Sequence, residues 1–232
     1  MAGRPLALVV GATRGIGLGV VKEFASRSWD VIATARKPHQ ASALRDLAAR
    51  YRQQITIQAF DMDDPDGIDT FAAGATSHRL DAVLINAGVA GPDHRSADRA
   101  TPAETGALMF TNAIGPIRLA RQLAGAIVPG TGVLAFSSSV MGSVALNTGG
   151  HELYRASKAA LNSLTRGLAH EQGHRRLAVL SLHPGWVRTD MGGPHAAVSI
   201  EDSARGLVDV ILAQRGHPGH RFLDYRGQEI AW

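Results

Sequence analysis

The sequence predicts an α/β protein, a three-layer αβα sandwich around a doubly wound parallel sheet of about seven strands. Three observations predict it. Apolar runs of strand length recur along the chain, a segment with helical periodicity follows each of the early ones, and glycines cluster between the first run and the first helix. Strands that alternate with helices imply right-handed crossovers and hence parallel pairing. With 232 residues and 45% hydrophobic side chains, the chain is long enough to bury a full core, and one domain over 1–232 is expected.

Leu6 to Val10 is the first run, and Gly11 closes it. Gly11-Ala12-Thr13-Arg14-Gly15-Ile16-Gly17 follows, then a helical pattern through Val20, Val21, Phe24 and Ala25. In such a loop the glycines allow a tight turn, a close approach of backbone to a pyrophosphate and close helix-on-strand packing, with the anion at the helix N-terminus. A second strand, Val31 to Ala35, ends at Arg36-Lys37. No acid stands at its end to hold the ribose hydroxyls of NAD, so Arg36, helped by Arg14, argues for the 2′-phosphate of NADP. The alternative is that both are ordinary surface arginines.

Ala41 to Arg52 reads as an amphipathic helix, Ile55 to Phe60 as a third strand closed by Asp61-Met62, and Asp64-Pro65 as the capped start of the next helix. Leu80 to Ile85 is a fourth strand ending in Asn86-Ala87-Gly88. Residues 90–100 are polar and form a loop, and Thr101-Pro102-Ala103-Glu104 has the spacing of a capping box. Pro116 has no N–H for the carbonyl of Asn112, so the helix either kinks there, leaving a carbonyl that holds a water, or ends and restarts. Gly132 to Phe136 is a fifth strand that enters Ser137-Ser138-Ser139. Leu177 to Leu182 is a sixth, followed by the Pro184-Gly185 turn and the stretch through Thr189. Ile200 to Gln214 is a last helix and Arg221 to Leu223 a short last strand.

Between the fifth and sixth strands lies Tyr154-Arg155-Ala156-Ser157-Lys158. On a helix, residues four apart share a face, so the phenol and the ammonium stand side by side. A nearby cation favours phenolate and is expected to lower the tyrosine pKa toward working pH, as a general acid/base requires. The chain has only three tyrosines and three lysines (Lys22, Lys37 and Lys158), so the pairing stands out from chance.

Composition excludes other chemistry. There is no cysteine, hence no disulfide or thiolate catalysis. The ten histidines are dispersed without metal-ligand spacing and read as surface residues, so no metal is expected. A net charge of +4 raises the question of nucleic acid, but the arginines are scattered and no aromatic-interleaved basic stripe exists. The apolar run at the N-terminus is too short for a signal peptide or a membrane span, and a cytoplasmic protein is expected.

Taken together, Gly11-x-x-x-Gly15-x-Gly17, Asn86-Ala87-Gly88, Asn112, Ser139, Tyr154-x-x-x-Lys158 and Pro184-Gly185 through Thr189 resemble, in order and approximate spacing, the motifs of the short-chain dehydrogenase/reductase family. The resemblance covers essentially the whole chain. Met141-Gly142-Ser143 and Asp224-Tyr225-Arg226-Gly227 look like the C-factor and carbonyl-reductase branch. It implies a Rossmann-type fold and NADPH-dependent reduction of an aldehyde or ketone, reversible as alcohol oxidation.

By the same resemblance, Tyr154 protonates the carbonyl oxygen, Lys158 lowers its pKa and holds the nicotinamide ribose, and Asn112 supports a proton-relaying water. Ser139 bonds the substrate oxygen, with Ser138 as the alternative in a run of three serines. Asp61 and Met62 would flank the adenine, Asn86 with Ala87 and Gly88 the adenosine ribose, and Val187 with Thr189, beyond Pro184 and Gly185, the carboxamide; Thr13 and Ile16 belong to the glycine loop. The resemblance also suggests a homodimer or homotetramer.

Two features bear on the substrate. Ser139 and Tyr154 stand fifteen residues apart, which suggests an enlarged loop over 147–151, and the short segment with Gly192-Gly193-Pro194 suggests an open lid. Met141, Leu146, His151, Trp186 and Met191 line the pocket or else simply pack. The competing reading is a non-catalytic NADP(H)-binding regulator or signalling protein, because fold alone does not fix function.

Overall fold

The computed structural model describes residues 3–232; Met1 and Ala2, with which the expected domain and the N-terminal reading begin, lie outside the described residues. One parallel sheet organises them. Its strands are β1 (Leu6–Val10), β2 (Asp30–Ala35), β3 (Ile55–Ala59), β4 (Ala82–Ile85), β5 (Val133–Ser137), β6 (Ala178–His183) and β7 (Gly219–Asp224), in the order β3-β2-β1-β4-β5-β6-β7. The chain therefore winds outward from β1 in one direction and from β4 in the other. A crevice opens beyond the carboxyl ends of the strands where that direction reverses.

The strands are apolar because both faces are covered. Along β1, Ala7 and Val9 face one helical layer while Leu8 and Val10 face the other, the period of two that a strand imposes. The first layer holds α1 (Gly15–Ser26), α2 (Ser42–Arg50) and α7 (Ile200–Ala213), which bury Phe24, Leu44, Leu207 and Ile211 against the sheet. The second holds α3 (Pro65–Ala75), α4 (Pro102–Met109), α5 (Gly115–Leu123) and α6 (Glu152–Glu171), with Ile68, Leu119, Leu123, Leu161 and Leu168 inward. Each such fully buried side chain contributes roughly 1.5–3 kcal/mol.

Helix starts follow their chemistry. Asp64 caps α3 by accepting from the Asp66 N–H, and Thr101 and Glu104 form the reciprocal capping box of α4. Apart from shifts of one or two residues at element ends and a short 3-10 turn at Ala97–Arg99, the structure differs from expectation in three places. Leu80 forms only an isolated bridge with Ile127, so β4 begins at Ala82. The last strand is longer than the sequence suggested, because Gly219 through Asp224 pair with all of β6.

The third difference is at Pro116. The helix does not stop there; residues Phe110–Ile114 form a π-turn that joins α4 to α5, with the Gly115 N–H bonded to the Phe110 carbonyl five residues back. Widening by one residue accommodates the missing proline donor, and it carries Asn112 to a fully buried position.

Candidate active site

A cleft of about 1280 Å³ runs along the carboxyl edge of the sheet. It reaches from Arg36 and Asp61 at one end, past the glycine loop, to Tyr154 and Trp186 at the other. Of the expected site residues, only Gly17 and Asn112 stay off its wall.

The glycine loop is built by close contact. Gly11 has φ +82°, and a Cβ there would stand 2.9 Å from the Ala87 backbone; a Cβ on Gly17 would collide with the Gly11 carbonyl. Asn86 ties the loop down, donating from Nδ2 to the Gly11 carbonyl (3.0 Å) and accepting at Oδ1 from the Ser137 hydroxyl (2.9 Å). Its side chain is thus committed to holding the loop rather than free for a ribose. Thr13, Gly15 and Ile16 present the open N-terminus of α1 to the cleft. Two basic side chains stand at this end, Arg36 and Arg14, and Arg14 makes an exposed ion pair with Asp190 (3.1 Å). Unpaired helix N–H groups, glycine backbone and two guanidinium groups form a donor set that fits a phosphorylated dinucleotide.

At the other end α6 carries Tyr154 and Lys158 on one face. Lys158 is buried, and its Nζ donates to the Ser137 carbonyl (2.8 Å) while lying 5.6 Å from the centre of the Tyr154 ring. This corrects the expectation that the ammonium lowers the phenol's pKa. Burial pushes Tyr154 up to about 12, only partly opposed by the Ser139 hydroxyl, and burial likewise brings Lys158 down to about 8. Spacing put the two residues on one face, but the ammonium turns toward β5 rather than to the phenol oxygen.

The serine run divides its labour. Ser137 serves Asn86, and Ser138 donates its proton to Asn162 Oδ1 (2.6 Å). Ser139 Oγ accepts from the Met141 N–H (3.1 Å), which leaves its own proton available beside Tyr154. Asn112 bonds the Val89 N–H (2.8 Å), the Val89 carbonyl (2.9 Å) and the Ser157 hydroxyl (3.0 Å). A Cβ on Gly88 would stand 3.2 Å from Asn112 Oδ1 and 3.5 Å from Lys158 Nζ, so the two groups flank Gly88 together.

Past β6, Ser203 holds the Pro184 carbonyl (2.7 Å), and Val187 bridges to Val198. Thr189 accepts from the Gly192 N–H (3.1 Å), and a Cβ on Gly15 would stand 3.3 Å from its methyl group, so this segment lies against the glycine loop. Met62 packs on Gly115, and Asp61 accepts from the Asp63 N–H (3.1 Å). Met141, His151, Trp186 and Met191 line the cleft, whereas Leu146 does not.

Residues 5–197 match the family described as short chain dehydrogenase. The chain belongs to that family. As a short-chain dehydrogenase it is 40% identical over 171 residues to C-signal of Myxococcus xanthus, a match covering 70% of this chain and 98% of that one. Its fold superposes on a chain from Burkholderia multivorans that carries bound NADP, with a TM-score of 0.94, 41% identity and coverage of 99% and 100%. A carbonyl reductase from Pseudomonas aeruginosa PAO1 in complex with NADP gives 0.90, 40% identity and coverage of 99% and 100%.

Sequence reasoning missed several residues in this dehydrogenase's cleft or behind its wall; Arg95, His183 and Asp190 line it. Asn162 binds Ser138 and, through Nδ2, the Gly142 carbonyl (3.3 Å), clasping both ends of the turn that presents Ser139. Its spacing, four after Lys158 and eight after Tyr154, was the available signal. Asp190 and Arg95 gave none. His183 and His220, read as surface residues, are largely buried and held near 4, chiefly by burial. Among the described residues no group of acidic and histidine side chains has the geometry of a metal site, and no helix is long and apolar enough to cross a membrane.

Proposed function

We propose that this short-chain dehydrogenase reduces aldehydes or ketones at the expense of NADPH, and oxidises the corresponding alcohols in reverse. One observation carries the reading: the Tyr154 and Ser139 hydroxyls and the Lys158 ammonium share one end of a cleft whose other end holds the glycine loop and Arg36. The NADP-bound relatives support the choice of cofactor.

The cofactor, when bound, supplies the hydride. Tyr154, holding its proton up to about 12, acts as the acid that protonates the carbonyl oxygen. Ser139 rather than Ser138 orients that oxygen, because only its proton is uncommitted. Lys158, its Nζ on the Ser137 carbonyl and 5.6 Å from the centre of the Tyr154 ring, keeps this end of the cleft positive without lowering the resting pKa of the phenol. Asn112 is the group beside Lys158 that supports proton return. Arg36 and Arg14 hold the 2′-phosphate and set the preference for NADPH over NADH. The exposed Arg14–Asp190 pair contributes less than about 1 kcal/mol and yields readily to a phosphate.

Tyr154→Phe tests the reading. NADPH affinity is expected to stay within about twofold, while turnover falls by 10² or more, the contribution of a positioned acid. Unchanged turnover would exclude Tyr154 as the acid. A second reading, an NADP(H)-binding signalling protein, is favoured by the C-signal relative. It predicts NADPH binding with no turnover to lose.

A further inference from the structure

Arg95 and His151 meet at the substrate end of the cleft. Arg95 Nη1 lies 3.3 Å from His151 Nε2, and both side chains line the same cavity as Tyr154. Their backbones are unusual: φ is +59° at Arg95 and +50° at His151, two of only four non-glycine residues with positive φ among the described residues. Each such conformation costs roughly 1–2 kcal/mol, and strain of this kind is retained where a side chain must be aimed.

Arg95 forms no ion pair among the described residues, although carboxylates are near in sequence. Three of the carboxylates around the pair are engaged elsewhere, and Asp93, two residues before Arg95, forms no ion pair with it. Glu152 accepts from the Ala97 N–H (2.7 Å), Asp98 from the Ser96 hydroxyl, and Glu104 from Thr101. Arg155, the other cation on the start of α6, is turned to the carbonyls of Gly149 and Gly150. Burial and the two guanidinium groups keep the His151 ring below its ordinary pKa, so its Nε2 accepts from Arg95 and fixes the guanidinium. One positive fork with unused N–H groups then stands at the mouth. The wall of the same cavity includes the apolar Val89, Met141 and Trp186.

Resting on the reductase reading, we propose that the substrate is a carboxylate-bearing aldehyde or ketone, its carboxylate on Arg95, its apolar body along Val89 and Trp186, and its carbonyl at Tyr154. A planar guanidinium matches a carboxylate in a way that a neutral ester does not reproduce. His151 is a positioning residue that holds the guanidinium.

The test is a matched pair, 4-formylbenzoate and its methyl ester, reduced with saturating NADPH near pH 7 by the wild type, Arg95→Ala and Arg95→Lys. The readout is the ratio of kcat/KM for the acid to that for the ester. The wild type is expected to favour the acid, and Arg95→Ala to lower the ratio about fivefold, chiefly through KM of the acid, as loss of one partly exposed charged contact does. Arg95→Lys should keep part of the preference, and added salt should erode it in the wild type but not in Arg95→Ala. A wild type that prefers the ester, or a ratio that Arg95→Ala leaves unchanged, would overturn the proposal alone. No turnover of either compound by a wild type that reduces other, uncharged aldehydes or ketones would likewise overturn the proposal alone, whereas no turnover of any carbonyl compound would overturn the reductase reading and this proposal with it.

Discussion

A phenol held up to about 12 keeps its proton throughout the neutral range, which suits Tyr154 to the role of acid proposed for it. The group that titrates nearer neutrality is Lys158. Burial lowers its pKa to about 8, so it is an ammonium below that value and loses its charge as pH rises through it. The account therefore predicts that kcat/KM for reduction is level below pH 8 and declines above it, and that Lys158→Arg moves the decline upward. A profile that rises through pH 8 would contradict the role given to the ammonium. At this scale the sequence told which residues share a helix face but not where their polar ends point. Helical spacing places the Cβ atoms of Tyr154 and Lys158 together; only the Ser137 carbonyl, contributed by another element, decides the direction of the ammonium.

Elements explain why Ser139 is presented as it is. The turn after β5 is clasped from α6 by Asn162, which lies on the same face as Tyr154 and Lys158, so Tyr154, Lys158 and the turn that carries Ser139 share one support. Asn162→Ala should release that turn, lowering kcat about ten- to hundredfold while the KM for NADPH stays nearly constant, since misplacing a reacting group by an ångström costs that much. Asn162→Asp, which keeps the acceptor for Ser138, should recover part of the loss; equal loss in both variants would assign Asn162 to folding alone.

The strands were legible because unbroken apolar runs fit only a doubly covered sheet, and the capping box because its two residues satisfy each other locally. The π-turn was not. Pro116 removes one donor, and breaking, kinking or widening the helix all answer that loss equally well from sequence. Likewise Arg14 and Asp190 lie far apart in sequence, and no local pattern foretells their pairing.

The whole molecule has a pH limit of its own. His183 and His220 titrate near 4 in the folded chain against 6.5 for an unburied imidazole, so the unfolded chain binds protons first on acidification. Stability is therefore predicted to be full above pH 6.5 and to fall as pH drops toward 4, His183 alone accounting for at most about 3 kcal/mol. His220→Gln should flatten the acid limb of a melting-temperature profile; an unchanged limb would place the loss in other groups.

As a whole, the cleft joins the glycine loop and Arg36 at one end to Tyr154 and Ser139 at the other, and the proposed function has the two ends work in one reaction. Following nicotinamide oxidation with NADPH and NADH separately, against aldehydes and ketones including the acid and ester pair, tests that most directly. The account predicts turnover with NADPH, faster than with NADH. Tight NADPH binding without turnover of any carbonyl compound would contradict it and leave the molecule a binder.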